Sequence, residues 1–162
     1  MSEPVTGFKV PVRLEYTIRT GKSPGAFLKA MKDGRIIGQR CPITGKVYVP
    51  PRGPSPTTGA AMTEEVEVED AGVITTFCVI SVPYEGQEMK LPYVAASILL
   101  DGSDIPMLHL IGDCEHSDVR MGMRVKAVWR PKEEWGYTTE NIRWFAPTGE
   151  PDAPFDSYKE HL

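Results

Sequence analysis

The sequence predicts a mainly β protein: a closed barrel of five strands, preceded by a short helix and a small module rich in proline and glycine. Apolar and polar residues alternate from Glu65 onward, which is typical of strands with one buried face. Asp101 to Asp104 place an Asp-Gly pair between two apolar runs, which is the strongest short-range signal for a hairpin turn. Prolines recur between residues 50 and 56, which excludes a continuous central strand there.

Residues 1–37 are expected to form an extended arm followed by a helix. Leu14, Tyr16 and Ile18 alternate weakly with polar residues, so the arm is one that a partner could order. Ser23 and Pro24 suit a helix start, because serine caps free amides and proline fits the first turn. The helix is expected to stop at Gly34. Its apolar face, which includes Phe27, Leu28 and Met31, either closes a core or docks on another subunit.

Residues 38–61 have the rhythm of a zinc ribbon from which most of the ligands are missing. Cys41 and Thr44, then Ser55 and Thr58, keep the spacing of two Cys-x-x-Cys pairs. Hydroxyl groups do not replace thiolates as zinc ligands, because they do not lose their proton readily. We therefore predict that the zinc site is lost. The alternative is an accidental spacing in a Pro/Gly loop with one buried cysteine.

Residues 62–147 are expected to form a barrel of the OB type, and residues 148–162 a flexible tail. The strand candidates include the runs 73–82, 93–100, 105–111 and the alternating segment around Val125. Short connections between five strands suit a barrel that closes on itself and so has no exposed edge. An open antiparallel sandwich is the alternative. In the tail, Phe155 and Tyr158 could anchor the chain on a partner.

Composition argues against two classes of function. The formal net charge of −4 is unfavourable for nucleic-acid binding, which depends on clustered Lys and Arg. No apolar run approaches the roughly 20 residues that cross a bilayer. Three widely spaced cysteines and no apolar leader favour a cytoplasmic protein with reduced thiols.

No set of acid, base and nucleophile is apparent, so we expect no catalysis by the chain alone. The acidic segment 113–116 also holds Cys114 and His116, but neighbouring residues in an extended chain point to opposite sides and do not converge. His109 is expected to be a structural strand histidine, with a general base as the alternative. Cys78 is expected to pack as a small apolar residue.

Residues 24–146 resemble the domain-of-unknown-function-35 family, in which a rubredoxin-like zinc ribbon precedes an OB-fold. The resemblance is most specific between Gly38 and Arg52. It implies an accessory subunit that joins a thiolase-fold enzyme and helps to hold acyl-CoA substrates, in some relatives for steroid side-chain degradation. The residues that would contact CoA or the partner are Arg40, Tyr48, Arg52, Phe27 and Met31, with surface or intraprotein ion pairs as the alternative for the arginines.

Two other functions remain open from the sequence. A single-strand nucleic-acid binder on the same barrel would need a basic groove and exposed aromatic rings among Trp129, Trp135, Tyr137 and Trp144. An acyl-CoA hydrolase or hydratase would need His109 or His116.

Overall fold

The structure is a computed structural model that describes residues 6–8, 10, 12–87 and 89–162. The first five residues of the expected arm, and positions 9 and 11 within it, lie outside the described residues. The helix and strands have these bounds: α1 Lys22–Lys32, β1 Ile36–Arg40, β2 Val47–Tyr48, β3 Glu64–Val68, β4 Ala71–Ile80, β5 Tyr93–Leu100, β6 Met107–Ile111, β7 Arg124–Trp129 and β8 Ile142–Pro147.

Helix α1 ends where the sequence predicts but begins differently. Gly34 adopts a φ of 73°, and its amide donates to the carbonyl of Met31 while the amide of Arg35 donates to that of Ala30. This pairing is the Schellman arrangement, which favours glycine. The expected serine cap is wrong, because the N-cap is Gly21 and the Ser23 hydroxyl instead accepts a hydrogen bond from Gln39 Nε2 at 3.2 Å.

The ribbon module contains a three-stranded antiparallel sheet with the order β2-β1-β3. Strand β3 pairs with β1 along its whole length, from Glu64 opposite Arg40 to Val68 opposite Ile36. The barrel was expected to begin at residue 62, and by its pairing the first alternating segment belongs to the ribbon sheet. Alternation shows that β3 has a buried face, but it does not show which sheet that face covers.

Strands β4 to β8 close a barrel with the order β4-β5-β6-β8-β7, which confirms the predicted five-stranded fold and excludes the open sandwich. The turn after β5 is the predicted one, with Gly102 at a φ of 92° and the amide of Ser103 donating to the carbonyl of Leu100 at 2.9 Å. Along β5, Val94, Ala96, Ile98 and Leu100 point into the barrel. A parallel contact between β6 and β8 completes the ring.

The helix, the ribbon sheet and the barrel share one apolar core. Asn141, which is buried immediately before β8, donates from Nδ2 to the carbonyl of Met31 in α1 at 3.0 Å. Asp104 in the barrel accepts from the amide of Val47 at 2.8 Å and donates its own amide to the Val47 carbonyl at 2.9 Å. The helix and the ribbon are therefore each joined to the barrel by buried or partly buried hydrogen bonds as well as by apolar packing.

The tail packs on the barrel, so the prediction of a flexible segment at 148–162 is wrong. Tyr158 is buried against Gly122, whose carbonyl accepts the amide of Ala153 at 2.8 Å. Arg120 binds Asp152 through Nε and Nη2 at 2.5 and 2.7 Å. The Pro-rich composition suggested too little burial to offset the conformational entropy lost on ordering the tail. The buried ring of Tyr158 and the bidentate pair of Arg120 with Asp152 provide that stabilisation.

Candidate functional site

The two turns of the ribbon, residues 41–46 and 55–60, have the same backbone geometry, and we call them the knuckles. In both knuckles the amide of the first residue donates to the carbonyl of the sixth at 2.8 Å, and the amide of the fifth donates to the carbonyl of the first at 2.9 Å. The fifth residue is a glycine in the left-handed region in each case: Gly45 has a φ of 74° and Gly59 has a φ of 71°. The chain therefore keeps the paired turns that present zinc ligands in a ribbon.

The side chains between the knuckles form a cluster of one thiol and several hydroxyls. Cys41 Sγ lies 3.6 Å from Thr58 Oγ1 and accepts from the amide of Thr44 at 3.5 Å. Hydrogen bonding by the Ser55 hydroxyl, and then by the Thr44 hydroxyl, lowers the pKa of Cys41 to about 6, while desolvation by burial opposes the shift. The four positions with ligand spacing are thus brought together, as the spacing predicts.

This donor set does not fit a structural zinc ion. Zinc in ribbons takes four thiolate or imidazole ligands, whereas the knuckles offer the single thiol of Cys41 beside three neutral hydroxyls. Across the described part of the chain, no group of three or more His, Cys, Asp or Glu side chains is placed to hold a metal ion.

Three of the residues predicted to contact CoA or a partner are in the core, and their assignment is corrected here. Phe27 is 3% exposed and Met31 is 1% exposed, because the apolar face of α1 packs on the shared core. Tyr48 is buried beside Cys41, and its hydroxyl lies 3.3 Å from Thr57 Oγ1. The sequence allowed the apolar face of the helix either to close a core or to dock on another subunit. In the folded chain this face is part of the core.

The two predicted arginines differ. Arg40 donates from Nε to Glu64 at 3.0 Å and from Nη1 to the carbonyl of Gly45 at 3.1 Å, so its guanidinium binds within the ribbon. Arg52 is exposed, and the described residues contain no ion-pair partner for it. Arg52 therefore stays available to an anionic ligand or partner.

The arm carries a longer apolar alternation than Leu14, Tyr16 and Ile18 alone. All the even-numbered positions from Phe8 to Ile18 are large and apolar, and their exposed fractions run from 62% at Val10 to 85% at Phe8. The described residues before α1 carry no helix or strand. A period of two over the whole segment was the sequence signal that could have identified it as strand-like.

A second surface feature is a groove on the outside of the barrel, which we call the barrel groove. It consists of two adjoining hollows of about 550 and 460 Å³ that share Leu110, Arg130 and Arg143. The guanidinium of Arg143 stacks 4.1 Å from the ring of Trp144, and Arg130 Nε donates to the carbonyl of Glu140 at 2.8 Å. Arg130 also pairs with Glu134 at 3.7 Å, so the groove offers apolar residues beside the guanidinium of Arg143, which suits an elongated ligand with an anionic end.

Of the candidate catalytic groups, His109 and Asp113 have structural partners. His109 Nδ1 accepts from the amide of Leu110 at 2.9 Å and its ring packs edge-on against Phe145, while burial lowers the pKa of His109. Asp113 accepts from Trp144 Nε1 at 2.8 Å. Burial raises the pKa of the Cys114 thiol, and the carboxylate of Asp118 raises it further, so this thiol is protonated near neutral pH.

The aromatic rings considered for nucleic-acid stacking mostly bind within the protein. Trp129 and Trp135 pack together at 5.3 Å, and their indole nitrogens donate to Asp70 and to the carbonyl of Arg130. Tyr137 is exposed, with Lys32 over its ring at 4.5 Å. The rings do not form a row of bare stacking platforms along a basic groove.

No helix in the described part of the chain is long and apolar enough to cross a membrane.

Comparisons with known proteins agree with this architecture. Residues 28–55 match the family profile of the rubredoxin-like zinc ribbon domain of ChsH2, and residues 65–130 match that of its C-terminal OB-fold domain. A DUF35 domain-containing scaffold protein of Methanocaldococcus jannaschii is 35% identical over 102 residues, which cover 62% of this chain and 72% of the relative.

Two solved structures have a similar fold. A chain of the Ltp2-ChsH2(DUF35) aldolase has a TM-score of 0.61 at 21% identity, over 82% of this chain and 98% of that one. A DUF35 protein of unknown function from Sulfolobus solfataricus has a TM-score of 0.58 at 19% identity, over 78% and 84%. The ribbon with its paired knuckles, the closed barrel and the identity to the scaffold protein together place this chain in the DUF35 family, with the zinc-ribbon and OB-fold domains of the ChsH2 type.

Proposed function

We propose that the protein is a noncatalytic accessory subunit that binds a thiolase-fold enzyme in a complex acting on acyl-CoA substrates. The observation that carries the proposal is the arm, a continuous apolar alternation exposed to water. Membership of the DUF35 family supports it, since one relative is described as a scaffold protein and one solved neighbour as an Ltp2-ChsH2(DUF35) aldolase.

The arm has the properties of a strand that a partner completes. Its apolar side chains lie at the even positions from 8 to 18, and the odd positions between them hold Lys9, Pro11, Arg13, Glu15 and Thr17. When such a segment adds to a sheet edge, backbone hydrogen bonds supply affinity and alternate side chains enter pockets on one face. Six large apolar side chains, each more than half exposed within eleven residues, suit an interaction site better than ordinary surface composition.

The proposal that the chain alone does not catalyse a reaction is supported by the state of His109 and Cys114. Burial lowers the pKa of His109, so its ring is neutral near pH 7, and its Nδ1 already accepts the amide of Leu110. Burial raises the pKa of the Cys114 thiol, which stays protonated. A general base near neutral pH needs a free lone pair directed at substrate, and these groups do not offer one. The reaction is therefore assigned to the partner.

Contact with the CoA group is assigned to the barrel groove. Arg143 presents a guanidinium above Trp144 beside the apolar residues Leu108 and Leu110, which suits a phosphate joined to a flexible pantetheine chain. Arg52, on the ribbon, is the remaining candidate. We further propose that the acyl group carried by CoA is a steroid side chain, and the family resemblance supports this choice.

Replacing Arg143 with alanine is expected to weaken binding of CoA to the assembled complex by about ten- to a hundredfold, since a hydrogen bond to a charged group contributes about 1.5–3 kcal/mol. Isothermal titration of the complex with CoA measures the change. Arg35→Ala is the matched control, because Arg35 binds Glu67 on the ribbon sheet, away from the groove. If the Arg143 variant and the native complex bind CoA with equal affinity, CoA does not contact the barrel groove at Arg143.

Co-expression with thiolase-fold proteins encoded beside this chain tests the proposed assembly. A tagged copy is expected to retain one of them at constant stoichiometry through affinity and size-exclusion steps. The isolated chain should show no turnover, whereas the complex should, and steroid and straight-chain CoA esters then distinguish the acyl group. A protein that stays monomeric beside every such candidate, at micromolar concentrations of both, would refute the proposal.

A further inference from the structure

We infer that a hydrogen-bonded cluster of one thiol and several hydroxyls replaces the zinc ion of the ribbon, and that the knuckles still keep the geometry of a four-ligand site. The cluster consists of Cys41, Thr44, Tyr48, Ser55, Thr57 and Thr58. This inference concerns the ribbon alone and does not depend on the proposed function.

The first support for this inference is the backbone conformation that the two knuckles share. The two turns have matching hydrogen-bond lengths and matching glycine conformations, which are the features that aim ligand pairs at a common centre. Cys41 Sγ and Thr58 Oγ1, from opposite knuckles, lie 3.6 Å apart. Two sulfurs on one tetrahedral zinc ion lie about 3.8 Å apart, given a Zn–S length of about 2.3 Å. Opposing positions therefore keep the separation of ligands on one ion.

The hydroxyls connect the knuckles where the metal would otherwise do so. Tyr48 follows the first knuckle, and its hydroxyl lies 3.3 Å from Thr57 Oγ1 in the second. Thr57 Oγ1 also lies 3.4 Å from Ser55 Oγ. Among the described residues, every buried side-chain nitrogen and oxygen has a hydrogen-bond partner. A satisfied network of this kind holds its groups in place without an ion.

Apolar packing closes the same space. Cys41 is fully buried and, with Tyr48 and Met62, forms a small core separate from the main one, against which Ile105 packs. In a ribbon that depends on metal, the ion supplies much of the folding free energy. Here the side chains of this small core and the hydrogen bonds above supply that stabilisation.

The test rebuilds the site with three substitutions, Thr44→Cys, Ser55→Cys and Thr58→Cys. The variant is expected to bind about one zinc ion per chain, and Co²⁺ should give the visible absorption of a tetrahedral thiolate site. The native chain, purified in the same way and dialysed against chelator, should hold less than about a tenth of an ion per chain, since its hydroxyls do not bind zinc.

The matched control places the first new cysteine one residue earlier, as Ile43→Cys, Ser55→Cys and Thr58→Cys. It has the same number of thiols but should lack the Co²⁺ absorption of a four-thiolate site, because the side chain at position 43 is 69% exposed and lies on the solvent side of the knuckle. Equal spectra from both variants, or a folded first variant that takes up no metal, would overturn the retained geometry.

A measurement on the native chain keeps the inference testable if the variants do not fold. The melting temperature should be the same with and without a strong chelator. Stoichiometric zinc in the native protein, or a fall in melting temperature on chelation, would overturn the replacement of the metal by the cluster.

Discussion

Replacing Val12, Leu14 and Tyr16 with serine is expected to abolish recovery of the thiolase-fold partner while leaving the fold of the free protein unchanged. Each of these side chains is exposed in the free chain, so its removal costs the monomer little. Fully burying a large apolar side chain contributes about 1.5–3 kcal/mol, so the loss of all three should weaken the complex by more than about a thousandfold. Quantitative pull-down and size-exclusion chromatography measure the effect.

The control for this variant lies on the other face of the arm. Serine at Arg13, Glu15 and Thr17 changes the same stretch but keeps the apolar alternation. It should retain the partner to within a few-fold at moderate salt, because exposed charges contribute little. If the apolar variant assembles as well as this control, the arm is not the docking element and the interface lies on the ribbon or the barrel.

Replacing Phe145 with alanine should have the largest effect on stability, a loss of about 3–5 kcal/mol of unfolding free energy. Phe145 is fully buried, and its backbone pairs with both Ile111 in β6 and Ala127 in β7, where the barrel closes. Its ring meets His109 edge-on at 5.4 Å. Since small domains have about 5–15 kcal/mol in total, the variant should unfold at much lower urea concentration.

Phe155→Ala is the matched comparison, because Phe155 is 55% exposed in the tail and packs mainly on Tyr158. Urea unfolding followed by tryptophan fluorescence should place this variant within about 1 kcal/mol of the native protein. A loss of similar size at both positions would mean that the tail contributes to the fold as strongly as the barrel centre does.

These two experiments separate assembly from folding. The helix, ribbon and barrel share one core, so most apolar substitutions would impair both properties together. The apolar side chains of the arm are exposed in the free chain and lie outside that core. Variants of the arm should therefore change the affinity for the partner. Variants of Phe145 should instead change the free energy of unfolding.

Several features could be predicted from the sequence because they depend on local chemistry. The Asp-Gly turn after β5, the helix stop at Gly34 and the alternation along β5 each follow from the conformations or the burial of a few neighbouring residues. The two-plus-two spacing of the knuckles is similarly local. The loss of zinc stays a prediction, based on the chemistry of the donors that the sequence supplies.

Other features depended on which surfaces meet. Periodicity showed that Phe27 and Met31 share a face and that Val66 and Val68 alternate, but only the folded chain decided that the helix face closes the core and that β3 joins the ribbon sheet. The tail was misassigned for the same reason, since Gly122, which is distant in sequence, holds it, and Tyr48 was misassigned because its ring is covered by the other knuckle of the ribbon. A pattern of apolar residues specifies that a face must be covered, whereas the element that covers it is selected by packing across the whole core.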